Sequence, residues 1–126
     1  MIVDTSAMVA IIQAEPEAER FLETMRDAPS LRMSTPTMLE LSLVLGPERI
    51  ARATDLVQES GTGLEAFTKD HLLVAQQAHA RYGRGSGSPA KLNFGDCMSY
   101  ALAKVRDEPL LFKGDDFRHT DVTSAL

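Results

Sequence analysis

One cysteine, Cys97, is all that this chain of 126 residues contains. An internal disulfide framework is therefore excluded, and a reducing, cytoplasmic setting is expected. No apolar run approaches the roughly 20 residues that cross a bilayer, so no membrane span is expected. No basic segment leads into an apolar one at the start, so no signal peptide is expected either. Positive charge is in deficit: 13 Lys and Arg stand against 18 Asp and Glu, a formal net charge of −5. A generic nucleic-acid coat would be basic. An enzyme on nucleic acid stays compatible with this balance, because clustered acids inflate the count and bound divalent ions offset it locally. Repeats and low-complexity tracts are absent. What remains is one ordinary domain, residues 1–126, with 44% apolar residues, enough for a core without staples.

Short apolar segments alternate with helical patterns. Ile2 to Asp4 reads as a buried strand, and Ser6 as the cap of a helix reaching Gln13. Pro16 fits the first turn of a second helix ending near Arg26. Leu31 to Ser34 reads as a strand. Thr35-Pro36 reads as cap and first position of a helix that stops at Gly46-Pro47. Helices over Glu48–Glu59, from a Thr68 cap to Tyr82, and over Phe94–Arg106 follow, with strands at Leu64–Phe67 and Leu110–Phe112. The glycine- and serine-rich stretch Gly83 to Pro89 reads as a loop. The order implies α/β architecture with a parallel sheet.

Four acids stand out against this pattern. Asp4 and Asp116 sit at or just past the carboxyl ends of strands, where open α/β sheets bind ligands. Turn chemistry explains either one too, most readily in Gly114-Asp115-Asp116, and pattern does not choose between Asp115 and Asp116. Glu40 lies in Met38-Leu39-Glu40-Leu41-Ser42-Leu43-Val44-Leu45, a helix apolar on nearly every side. Such a helix is expected to be buried, and a glutamate in it to need a partner. Asp96 fits a helix cap, Asn93-x-x-Asp96, a role compatible with facing a metal. Four converging carboxylates suit a hard cation, Mg²⁺ or Mn²⁺. Cys97, with no nearby histidine, reads as a small core residue. His71 and His79 read as solvated, and His119 as a bystander.

The segments Ile2-Val3-Asp4-Thr5-Ser6-Ala7, Thr35-Pro36-Thr37-Met38-Leu39-Glu40, Leu92-Asn93-Phe94-Gly95-Asp96-Cys97 and Pro109 to Phe117 occur in the order of PIN-domain motifs. The chain resembles PIN domains, and among them the VapC toxins of VapBC toxin–antitoxin modules. The resemblance implies four or five parallel strands flanked by helices. It also implies a Mg²⁺- or Mn²⁺-dependent endoribonuclease, a homodimer, and inhibition by a VapB antitoxin. Asp4, Glu40 and Asp96 carry over as acidic site residues, Asp116 as the fourth, and Ser6 as a polar residue that orients Asp4 or a metal-bound water.

The mechanism expected is phosphodiester hydrolysis in structured RNA such as tRNA or rRNA. Asp4 and Asp96 are the principal metal ligands, and Glu40 and Asp116 complete the shell. Arg84, Lys91, Lys113 and Arg118 are the candidate phosphate contacts. Three readings compete. One is a catalytically silent PIN-like module that binds RNA or protein. The second is a phosphoacceptor domain, which needs a lysine after a later strand, a role open to Lys113. The third is a pure protein-interaction module, which leaves the four acids without a function.

Overall fold

The computed structural model describes residues 1–126. Four strands, β1 (Ile2–Val3), β2 (Arg32–Ser34), β3 (Gly63–Glu65) and β4 (Leu110–Leu111), form one sheet in the order β3-β2-β1-β4. Every pairing is parallel. The six helices are α1 (Thr5–Ile12), α2 (Ala18–Asp27), α3 (Thr35–Leu45), α4 (Ile50–Glu59), α5 (Lys69–Tyr82) and α6 (Phe94–Arg106). No helix is long and apolar enough to cross a membrane.

β1 and β4 are fully buried and need only two residues each to divide the core, whereas β3, at the edge of the sheet, is largely exposed. Successive side chains point to opposite faces of a sheet. Ile2 and Leu110 pack with α5 and α6, where Ala75, Ala78, Ala101 and Ala103 let the two helices close on each other. Val3 and Leu111 face the other way, with Met33, Met8 of α1, Phe21 and Met25 of α2, Leu41 and Leu45 of α3, and Val57 of α4. The result is three layers, with the sheet between two sets of helices.

The chain crosses from β1 out to β3 on one side and returns to β4 on the other. The sheet therefore reverses direction of winding between β1 and β4. A crevice opens at the carboxyl ends there, as in other open α/β sheets. β1 and β4 are tied in register, Ile2 to Leu110 and Val3 to Leu111. The amide of Asp4 still donates to Leu111 O, at 3.0 Å.

Several local expectations shift. Asp4, not Ser6, caps α1, because its carboxylate accepts the Ser6 amide. Ser34, not Thr35, precedes α3, so Pro36 is the second helical residue; the Ser34 hydroxyl makes no capping bond. Pro16 lies in the turn before α2, which starts at Ala18. β3 sits one to two residues early, since its register with β2 pairs Arg32 with Gly63 and leaves Phe67 to pack under α5. The tail is not irregular throughout: Asp116–His119 form a 3₁₀ turn, and Ser124 bridges Leu110. α3 is not buried all round, for Leu39, Leu43 and Val44 are 60%, 73% and 57% exposed.

Met33 is fully buried at the centre of the larger helical layer. Met33→Ala should cost about 2–5 kcal/mol of unfolding free energy. Urea denaturation checks it; a loss under about 1 kcal/mol would show that this layer collapses around the gap.

Candidate active site

The crevice between β1 and β4 is built from hydroxyl groups aimed at carboxylates. Asp4 is 4% exposed. Its Oδ2 accepts the Ser6 amide at 2.9 Å and the Ser6 hydroxyl at 2.6 Å, and its Oδ1 accepts the Ser99 hydroxyl at 2.6 Å. The Ser6 oxygen in turn accepts the Lys113 amide at 2.9 Å, which joins the exits of the first and last strands. Because the Ser99 proton is committed to Asp4, the 3.3 Å contact between Ser99 and Thr37 has Thr37 as donor. Ser6 thus holds Asp4 Oδ2 through both its amide and its hydroxyl.

Glu40 reaches the crevice from α3. It is half-buried, and its Oε2 accepts the Thr5 hydroxyl at 2.6 Å. Burial pushes its carboxyl above the usual range; the Thr5 bond opposes this, and the Asp4 charge adds to it. The apolar composition of its helix was a poor reason to expect this, given the exposed leucines. The carboxylate nevertheless points into the acidic cluster.

Asp96 is both a cap residue and a member of the site. Its amide donates to Asn93 Oδ1 at 2.9 Å, and its Oδ2 accepts the Asn93 amide at 2.8 Å. Burial pushes it from the usual 3.8 up to about 7, against the Asn93 bond and with help from the charges of Asp4, Asp116 and Glu40. Asp116 is exposed, yet its charge is felt at Asp96. It lines a cleft with Arg84, Gly85, Gly87, Ser88 and Lys91. Asp115 is occupied elsewhere, with His119 at 2.9 Å and Arg118 at 3.9 Å. Of the two adjacent aspartates, Asp116 is the one whose charge reaches Asp96.

No lysine, arginine or histidine pairs with Asp4, Glu40, Asp96 or Asp116. Nor do any three of these groups close into a ready-made ion cage. Hard oxygen donors, mutual repulsion and no protein cation are the donor chemistry that a divalent hard cation satisfies. The chemistry of the residues present fits such an ion, and Asp4, Glu40, Asp96 and Asp116 are the residues that could hold it.

The basic candidates divide. Arg84 and Lys91 line the cleft beside Asp116. Lys113 does not serve: its ammonium is held by Glu15 at 2.5 Å and Glu17 at 3.0 Å. The same pairing removes the lysine that a phosphoacceptor domain needs. Arg118 is exposed beside Asp115. His71 is not solvated but 3% exposed, its Nδ1 accepting the Thr68 amide in a capping box. Cys97 is a buried core residue, and His119 touches only Asp115 among the acids. Sequence reading missed Thr5, Thr37 and Ser99. Their one signal was position: Thr5 adjoins Asp4, Thr37 is one turn before Glu40, and Ser99 is one turn after Asp96.

This arrangement is that of a known class. The PIN domain model matches residues 1–122, and the chain belongs to the PIN domain family. Its relatives there are VapC ribonucleases. Ribonuclease VapC42 of Mycobacterium tuberculosis is 50% identical over 130 residues, covering 99% of this chain and 98% of that protein. Two solved structures share the fold. VapC20 of Mycobacterium tuberculosis, described as a sarcin–ricin loop cleaving toxin, has a TM-score of 0.76 at 16% identity, covering 97% of this chain and 95% of its own. A toxin–antitoxin complex from Klebsiella pneumoniae has a TM-score of 0.74 at 17% identity, covering 99% and 97%.

The raised Asp96 gives a testable sign. Its folded value, about 7, lies above the usual 3.8, so ionisation costs the metal-free fold as pH rises through that interval and the cost is complete above about 7. Asp96→Asn cannot ionise, and Asn93 still finds an acceptor. In chelator at pH 8 its melting temperature should exceed wild type by roughly 5 °C. At pH 4 the gain should vanish. A difference equal at both pH values would assign the effect to packing instead.

Proposed function

We propose that the protein is a Mg²⁺- or Mn²⁺-dependent endoribonuclease, the toxin of a toxin–antitoxin pair, that hydrolyses phosphodiester bonds in structured RNA such as tRNA or rRNA. The observation that carries this reading is the set of four carboxylates at the β1/β4 crevice with no protein cation among them. The 50% identity with VapC42 over nearly the whole chain supports the reaction class. A divalent ion bound there supplies an activated water and neutralises charge on the phosphate.

The side chains have separable tasks. Asp4 presents two oxygens whose outer sides are fixed by Ser6 and Ser99, so its orientation is set before any ligand arrives. Asp96 is held by the first turn of α6 and offers its other oxygen to the crevice. Glu40 and Asp116, whose charges both act on Asp96, complete the donor set. Arg84 and Lys91 offset the acidic field at the mouth, where a phosphate backbone would lie. Phe94, 79% exposed two residues before Asp96, offers a face on which an unpaired base can stack.

Two partners follow from this reading. A VapB-type antitoxin would cover the acidic crevice with a basic or apolar segment, as the toxin–antitoxin description of the Klebsiella neighbour supports. A second copy would cover the α3 ridge, where Leu39 and Leu43 lie one turn apart and strongly exposed beside Val44. A catalytically silent module is disfavoured because all four acids are present in one crevice.

Purified protein should cleave RNA with Mg²⁺ or Mn²⁺ and stop in excess chelator; undiminished cleavage there would sink the metal reading. Asp4→Asn and Asp96→Asn should each lower the rate about 100-fold or more. Expression of the wild type alone should arrest growth, and expression of Asp96→Asn should not. RNA-end sequencing after brief induction then identifies the target. Harmless expression of active wild type would refute the toxin role while leaving the nuclease intact.

Leu43→Asp places a charge on the α3 ridge without touching the crevice. Gel filtration should show half the wild-type mass. An unchanged elution volume would move the dimer contact off this ridge.

A further inference from the structure

Gly95 has no backbone reason to be glycine. It lies in the first turn of α6, between Phe94 and Asp96, and is fully helical. It is absent from the positive-φ glycines, which are Gly46, Gly61, Gly85, Gly87 and Gly114. A side chain at any of those five would meet nothing within 4 Å, so their glycines serve the backbone. At Gly95 the reverse holds. A Cβ there would fall 2.0 Å from Glu40 Oε1, 2.4 Å from Cδ and 2.5 Å from Oε2. Alanine is the better helix former. The sequence keeps glycine where alanine would strengthen the helix, and the Glu40 carboxylate fills the vacated volume.

We propose that Gly95 is a positioning residue whose bare Cα forms the floor of a seat for the Glu40 carboxylate. This rests on the reading of the crevice as a metal-dependent nuclease site. The seat has two contacts of different kind. The Thr5 hydroxyl, 2.6 Å from Oε2, fixes one oxygen from the α1 side. Gly95 lets the whole carboxylate lie flat against the first turn of α6, the turn that also holds Asp96. α3 and α6 meet again one turn further on through Thr37 and Ser99. The Glu40 carboxylate thus rests where two helices approach at a residue without a side chain. A Cβ at position 95 would overlap the end of the Glu40 side chain and force the carboxylate to shift, and a shifted carboxylate weakens a convergent ligand set.

The test is a double-mutant cycle of Gly95→Ala and Glu40→Ala, read by calorimetric Mn²⁺ titration, cleavage rate and thermal unfolding in chelator. Gly95→Ala should weaken Mn²⁺ binding at least about tenfold and slow cleavage about 100-fold. In the Glu40→Ala background, where the volume is empty, the same change should alter Mn²⁺ affinity less than about twofold. Unfolding in chelator isolates the steric claim from the metal. Gly95→Ala should raise the midpoint in the Glu40→Ala background through helix propensity, and should not raise it when Glu40 is present. Equal gains in both backgrounds would show that no seat exists. Wild-type Mn²⁺ affinity and rate in Gly95→Ala, or equal losses in both backgrounds, would overturn the positioning role. Failure of the wild type to bind Mn²⁺ would refute the nuclease reading and with it that role, while the unfolding cycle would still decide the seat.

Discussion

Repulsion among four carboxylates at one crevice is the constraint that the surrounding structure answers. Asp4 is almost sealed from water, Glu40 and Asp96 are partly so, and none has a basic partner. The protein meets this with neutral donors. Thr5, Ser6, Ser99 and the Asn93 and Ser6 amides each give one hydrogen bond to an acid. Such dipoles hold direction without cancelling charge, so the field that draws a cation survives. A lysine in the same place would have stabilised the empty fold and closed the site. Lys113 is near enough in sequence to do so, and Glu15 and Glu17 hold it away.

The fold delivers these groups with little regular strand. Two residues of β1 and two of β4 suffice because parallel register aligns their ends, and the site forms at those ends. The likeness to VapC20, a TM-score of 0.76 at 16% identity, shows how weakly such a fold depends on particular core residues. Many combinations of apolar residues of suitable size can fill such layers.

The four acids were legible in the sequence because each sits next to a visible boundary: Asp4 and Asp116 at strand ends, Asp96 at a cap, Glu40 one turn past Pro36. Directions were not legible. Composition made α3 look buried on all sides, whereas Leu39, Leu43 and Val44 face outward. The same blindness put His71 in solvent, although its ring folds back on its own helix start. Asp115 and Asp116 differ only in which side of the 3₁₀ turn they leave from. Thr5 and Ser99 were invisible for a related reason. A hydroxyl in a helix reads as neutral until crossing helices bring a carboxylate to it, and that crossing is a tertiary fact. The caps of α1 and α3 moved because Asp4 and Ser34 leave their strands directly into helices, with no loop residue between.

Asp4 belongs to two economies at once. It terminates β1, caps α1 and collects both serine hydroxyls, while also belonging to the acidic crevice. Asp116 belongs to one, since it is exposed and its neighbours make no bond to it that the fold requires. The two positions therefore differ in what a substitution removes. Changes at Asp116 take away an exposed carboxylate and leave the bonds of the fold in place. Changes at Asp4 to residues that cannot cap a helix tend to remove the protein altogether. The crevice thus has one acid that the fold cannot spare and one that it can.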